Sequence, residues 1–198
     1  MALLRGGLGM LCIFLLYRCS MFSQIQDDRE ELRKHLVWLK DTVTFNVNKK
    51  TVRAGIGKVI EDGVDGWNRD SDARIVLKRG LDTSKGVDSL DRMNAICLGT
   101  PKLSDFSDLA ATYVEHDDHD TVITDADIVL DLERIKRYCK LEMTVLHELG
   151  HLMGLQDVTS ELIESVMYGE CQPEKDYRAP RPYDYRLRRD KYPKKVKK

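Results

Sequence analysis

Two histidines four residues apart, His147 and His151, enclose a glutamate, Glu148, beside the first of them. On a helix such a pair projects from one face a turn apart, so two imidazoles can hold one zinc ion. Glu148 then stands where a carboxylate can act as general base on a zinc-bound water. Gly154 lies three residues past His151, where a left-handed helix exit needs glycine. Asp157 follows three residues later, where a chain that has turned back can offer a third, carboxylate ligand. The string H-E-x-x-H-x-x-G-x-x-D is far rarer by chance than its five-residue core.

These residues resemble the metzincins, zinc peptidases with H-E-x-x-H-x-x-G-x-x-H followed by a methionine turn. Residues 147–155 are most similar to the matrixin branch. Aspartate in place of the third histidine resembles the snapalysin-type secreted bacterial metalloproteases. Downstream, Ser165-Val166-Met167-Tyr168 resembles the methionine turn. The resemblance implies a zincin-like catalytic domain of α+β class. Its sheet would be twisted, mostly parallel and five-stranded with an edge strand, beside an active-site helix and a C-terminal helix.

It further implies a zinc-dependent endopeptidase with one catalytic Zn2+ on His147, His151 and Asp157. Glu148 would be the general base, Met167 the methionine-turn residue and Tyr168 a wall of the pocket for the residue after the cut bond. The substrate would be a protein or peptide, added as a strand to the sheet edge. Two alternatives stay open. A glutamate-type zincin would take its third ligand from Glu161, Glu164 or Glu170. A non-catalytic binding protein would keep the scaffold and work through its basic tail.

The elements that must position these residues follow from periodicity. Residues 42–47 alternate and are rich in β-formers, which predicts a first strand. Residues 51–68 carry Val52, Ile56, Val59, Ile60, Val64 and Trp67 at helical spacing, which predicts one long helix. Further strands are predicted over 73–78, 95–98, 109–114 and 126–132, with a polar loop over 80–94. The zinc helix is predicted over 140–153, with Leu141, Val145, Leu149 and Leu152 as its apolar stripe. Residues 182–192 resemble the closing helix of matrixin domains, with Asp184 and Tyr192 at the separation seen there and Arg188 where that family prefers an aliphatic residue. The cluster His116 to Asp120 is a candidate for a second metal near His116 and His119, or a solvated loop.

The chain has 198 residues, 42% hydrophobic and 33% charged, enough for one domain with a real core. Its net charge of −1 hides an asymmetry. Residues 172–198 hold eleven Lys and Arg against four Asp and Glu, whereas residues 24–171 hold nineteen against twenty-nine. The basic tail could contact an anionic surface; nothing points to specific nucleic-acid binding, and a monomer is expected.

Residues 1–23 have an early Arg5 and an uncharged run over 6–17, too short to span a bilayer as a helix. They read as a signal peptide of a secreted protein. A retained membrane anchor and a buried helix of a cytosolic protein are the alternatives. Residues 24–41 form a short N-terminal segment with a partly helical rhythm at Leu32, Leu36, Val37 and Leu39, a helix or the remnant of a propeptide. It has no cysteine, so a cysteine switch is excluded. The catalytic domain is placed at 42–171 and the basic helix and tail at 172–198, with 193–198 disordered.

Of five cysteines, Cys12 and Cys19 would leave with a signal peptide. Cys139 precedes the zinc helix and Cys171 follows the methionine turn, so a Cys139–Cys171 disulfide could clamp the site and would suit secretion. Thiols throughout are the alternative, because Cys97 leaves the count odd.

Overall fold

Alternation over the first strand puts Val43, Phe45 and Val47 on one buried face of a sheet, and that sheet frames everything else. The computed structural model describes residues 36–84, 86, 91–101, 109–117, 119, 121–158, 162 and 164–194. The expected signal peptide at 1–23 and the end of the tail at 195–198 lie outside the described residues.

The class is α+β, with five strands: β1 (Thr42–Asn48), β2 (Val76–Thr83), β3 (Ala95–Leu98), β4 (Ala110–His116) and β5 (Ile123–Leu130). Their order is β2-β1-β3-β5-β4, with every pair parallel except β4 with β5. β5 is flanked on both sides and reads as an almost unbroken buried run, as central strands do. β4 closes one edge.

The helices are α1 (Lys49–Arg53), α2 (Gly57–Asn68), α3 (Leu132–Tyr138), α4 (Leu141–Leu152) and α5 (Pro182–Lys191). The single helix expected over 51–68 is broken in two. Gly55 takes φ 82°, a left-handed conformation that ends α1. On α2, Ile60, Val64 and Trp67 face the core, and Gly63 lets α4 approach: a methyl there would sit 2.9 Å from Leu149 Cδ1. The Trp67 indole donates to the Leu146 carbonyl at 2.9 Å and ties the two helices.

Other boundaries also differ from expectation, among them β4, which runs on to His116. β2 starts at Val76 and continues to Thr83 through residues expected in a loop, because it keeps pairing with β1 past an irregularity at Phe45 to Val47. Backbone pairing outweighs the weak strand propensity of Gly80 and Asp82. β5 begins at Ile123 and stops at Leu130, since Asp131 caps α3 by accepting from the Arg134 amide at 3.1 Å. α3 itself was not expected; at seven residues it is too short to declare a period.

Both ends of the described chain pack into the core. The described end of the 24–41 segment is extended rather than helical: Val37 bridges Val122, and Leu36 and Trp38 are buried. The tail is packed through most of its length. Tyr177 and Tyr192 are buried, and Pro193, expected in a disordered end, bridges Ala73. Arg188 occupies its aliphatic-like position fully buried, its guanidinium donating to the carbonyls of Trp67, Ile75 and Asp70. Several tail cations meet body carboxylates: Lys175 and Arg181 reach Glu164, Arg189 reaches Asp70 and Asp72, and Lys194 reaches Asp72. Among the described residues no helix is long and apolar enough to cross a membrane.

Tyr192 joins the two ends. Its hydroxyl donates to Met153 O at 2.7 Å and accepts from the Trp38 amide at 3.2 Å, both within the core. Tyr192→Phe leaves two buried polar groups unpaired and is expected to cost about 1–3 kcal/mol in urea denaturation with the slope unchanged.

Candidate metal centre

His147 and His151 sit one turn apart on α4, ring centroids 4.5 Å apart and planes nearly perpendicular at 88°. Each ring is oriented through Nδ1. His147 Nδ1–H donates to Val166 O at 2.9 Å, and His151 Nδ1–H donates to Leu155 O at 2.8 Å. A carbonyl can only accept, so each Nδ1 carries a proton and each Nε2 faces the cleft, where its lone pair binds a metal once its proton has left. The two Nε2 atoms are 2.9 Å apart.

α4 ends at Gly154, which takes φ 79°. A side chain there would be strained and would press on Ile123 Cδ1 at 2.8 Å and Leu36 O at 3.1 Å. The exit sends the chain back past the histidines and delivers Asp157. Its Oδ1 lies 3.3 Å from His147 Nε2 and 3.4 Å from His151 Nε2. Zinc bound tetrahedrally to N and O donors separates them by roughly 3.3 Å, so the donor set and its spacing fit that ion.

Hydrogen bonds among the two imidazoles and the carboxylate link this group. Burial pulls the His147 pKa down, but the hydrogen bond to Asp157 and the Glu148 charge outweigh it and raise it to about 9. Burial works against the Asp157 carboxylate, yet hydrogen bonds from both imidazoles hold it far below the usual carboxylate range.

Beneath the site lies Met167, fully buried. A methyl on Gly150 would collide with its Sδ and come within 3.2 Å of Trp67 Cζ2, so the bare helix face at Gly150 admits the turn. The turn is fastened from below. Ser165 Oγ donates to Asp184, the Val166 amide donates to Asp184 Oδ2 at 3.2 Å, and the Met167 amide donates to Ser165 Oγ at 3.0 Å. Asp184 also accepts from the Arg181 amide at 2.7 Å and so caps α5.

Glu148 is 5% exposed and lines the same cleft. Its Oε2 accepts a 2.6 Å hydrogen bond from Thr112 Oγ1 on β4. Thr112 escapes a sequence reading: one threonine in a strand carries no signal. The cleft encloses about 860 Å³. Ala110, Thr112 and Val114 of β4 line it, with Tyr168 and Glu170 after the turn. A Cys139–Cys171 disulfide lines it too, beside Met143 and Thr144. Cys97 is a buried thiol whose pKa burial raises to about 11.

The other described candidate ligands, Glu164 and Glu170, are not grouped with the two histidines. Glu164 is turned to Lys175, Tyr177 and Arg181. Glu170 accepts from the Tyr168 hydroxyl at 3.4 Å, and Glu161 lies outside the described residues. Asp157, His147 and His151 form the one three-ligand group among the described residues. Near His116 and His119, the Asp117 carboxylate accepts from the Val122 and Thr121 amides at 2.9 Å each, shaping a turn. Asp118 and Asp120 lie outside the described residues. No family model matches the chain, and no curated protein matches it.

The disulfide closes a loop between residues 32 apart that contains the whole candidate centre. Replacing both Cys139 and Cys171 by serine is expected to lower stability by about 3–4 kcal/mol, the loop-closure entropy for that span. Urea denaturation of parent and double variant, with and without reductant, measures it; reductant should move only the parent.

Proposed function

We propose that this chain is a secreted zinc-dependent endopeptidase of the metzincin kind. One observation carries the reading: three donor atoms, 2.9 to 3.4 Å apart, converge in a cleft beside a buried carboxylate. His147, His151 and Asp157 would hold the ion. When bound, zinc supplies Lewis acidity, which acidifies a water and polarises a carbonyl.

The rest is the work of the chain's own residues. β4 ends the sheet, so its outer edge can take an extended peptide as a sixth strand and lay its backbone along the cleft. Glu148 accepts the proton of the attacking water on a carboxylate oxygen and passes it to the departing amine. Tyr168, on the cleft wall just after Met167, would border the side chain that follows the cut bond. The disulfide accords with an oxidising compartment.

Purified chain with one equivalent of zinc should hydrolyse a broad, unfolded protein substrate. Glu148→Ala should keep the zinc and lose about a hundredfold or more of the rate. A variant as active as the parent would sink the reading. Zinc binding is also expected to depend on pH with a definite sign. Zinc needs the neutral imidazole, and His147 keeps its proton up to about pH 9. Apparent affinity should therefore rise by about tenfold per pH unit from pH 7 towards 9 and then level off. Competition against a chromophoric chelator across that range tests this; an affinity independent of pH would contradict it.

A further inference from the structure

Thr112 lies on β4, the edge strand of the sheet among the described residues, and its side chain reaches across to α4. Its Oγ1 has two acceptors within reach: Glu148 Oε2 at 2.6 Å and the Glu148 carbonyl at 3.3 Å. A hydroxyl has one proton, and the charged, closer oxygen takes it, because hydrogen bonds to ionised groups are shorter and stronger. Glu148 itself is nearly buried, with little water to hold its carboxylate in one rotamer.

We infer that Thr112 is a positioning residue for Glu148: it ties Oε2 to the edge strand and leaves Oε1 to serve the cleft. The inference rests on the peptidase reading. It adds a physical link that the metal ligands do not contain. A peptide added to β4 binds the same strand that holds the base, so the substrate's seat and the base's orientation share one backbone. The hydroxyl does not touch the reacting atoms; it acts through Glu148.

The test uses the full zinc-loaded chain with Thr112→Val, which keeps the shape and removes the hydroxyl, and Thr112→Ser, which restores it. Thr112→Ala repeats the deletion should valine fold poorly. Thr112→Val should lower kcat by about ten- to a hundredfold, the usual cost of losing such a supporting partner, with KM and zinc content unchanged. Thr112→Ser should recover most of it. Equal losses in the valine and serine variants, or a change confined to KM, would overturn the inference.

Two readouts are independent of turnover. In cobalt-substituted protein, Thr112→Val and Glu148→Gln should shift the visible bands alike, and Thr112→Ser should leave them in place. In metal-free chain, the drop in urea midpoint caused by Thr112→Val should shrink markedly in a Glu148→Ala background, where only the carbonyl of residue 148 remains as an acceptor. Additive midpoints and unrelated spectra would overturn the role of Thr112. An inactive zinc-loaded parent would instead remove the peptidase reading, so the two failures are separable.

Discussion

The site depends on how closely one turn can press against one helix. Gly150 presents no side chain, and the space it leaves is filled by Met167. That approach puts the Val166 carbonyl within reach of His147 Nδ1 and so decides which nitrogen of the ring faces the cleft. The turn is held from its far side by Asp184, whose helix is in turn anchored by the buried Arg188 and Tyr192. Packing, a backbone carbonyl and a carboxylate thus form one chain of support ending at a histidine tautomer. Each link is short-ranged, and side-chain packing of this density transmits small shifts.

The third donor depends on a different device. Asp157 arrives because Gly154 adopts a left-handed conformation and reverses the chain directly after α4. The same reversal presents the Leu155 carbonyl to His151. One glycine therefore places a carboxylate and orients a histidine. A carboxylate beside two imidazoles also adds a negative charge that a third histidine would not, which in the proposed enzyme would soften the Lewis acidity of the ion.

The convergence of His147, His151 and Asp157 was legible because its geometry is local. Helical spacing fixes His147 against His151, and a helix exit fixes Gly154 and Asp157, so a few consecutive residues contain the information. The first strand announced itself by alternation and the helix over 141–152 by its apolar stripe, while the helical period over 51–68 was legible but the break at Gly55 was not. The remaining differences share a cause: they are decided by contacts remote in sequence. β2 extends because β1 lies beside it, not because Gly80 or Asp82 favours a strand. Arg188 reads as a tail charge until three carbonyls from distant segments converge on its guanidinium. Thr112 meets Glu148 across 36 residues of chain. α3 fell below the length at which a period can be counted.

The exit of α4 is closed by both ends of the described chain. The Trp38 indole donates to Leu152 O at 2.8 Å, and the Tyr192 hydroxyl bonds both Met153 O and the Trp38 amide. Trp38 and Tyr192 stand 154 positions apart in the chain. A ribosome makes them in that order, so the histidine helix leaves the exit tunnel well before the residues that seal it. Asp184, which holds the turn under the histidines, also emerges late. The cleft is therefore assembled only once Tyr192 has emerged and docked. A degradative activity built this way would be silent on the nascent chain until α5 had emerged and docked.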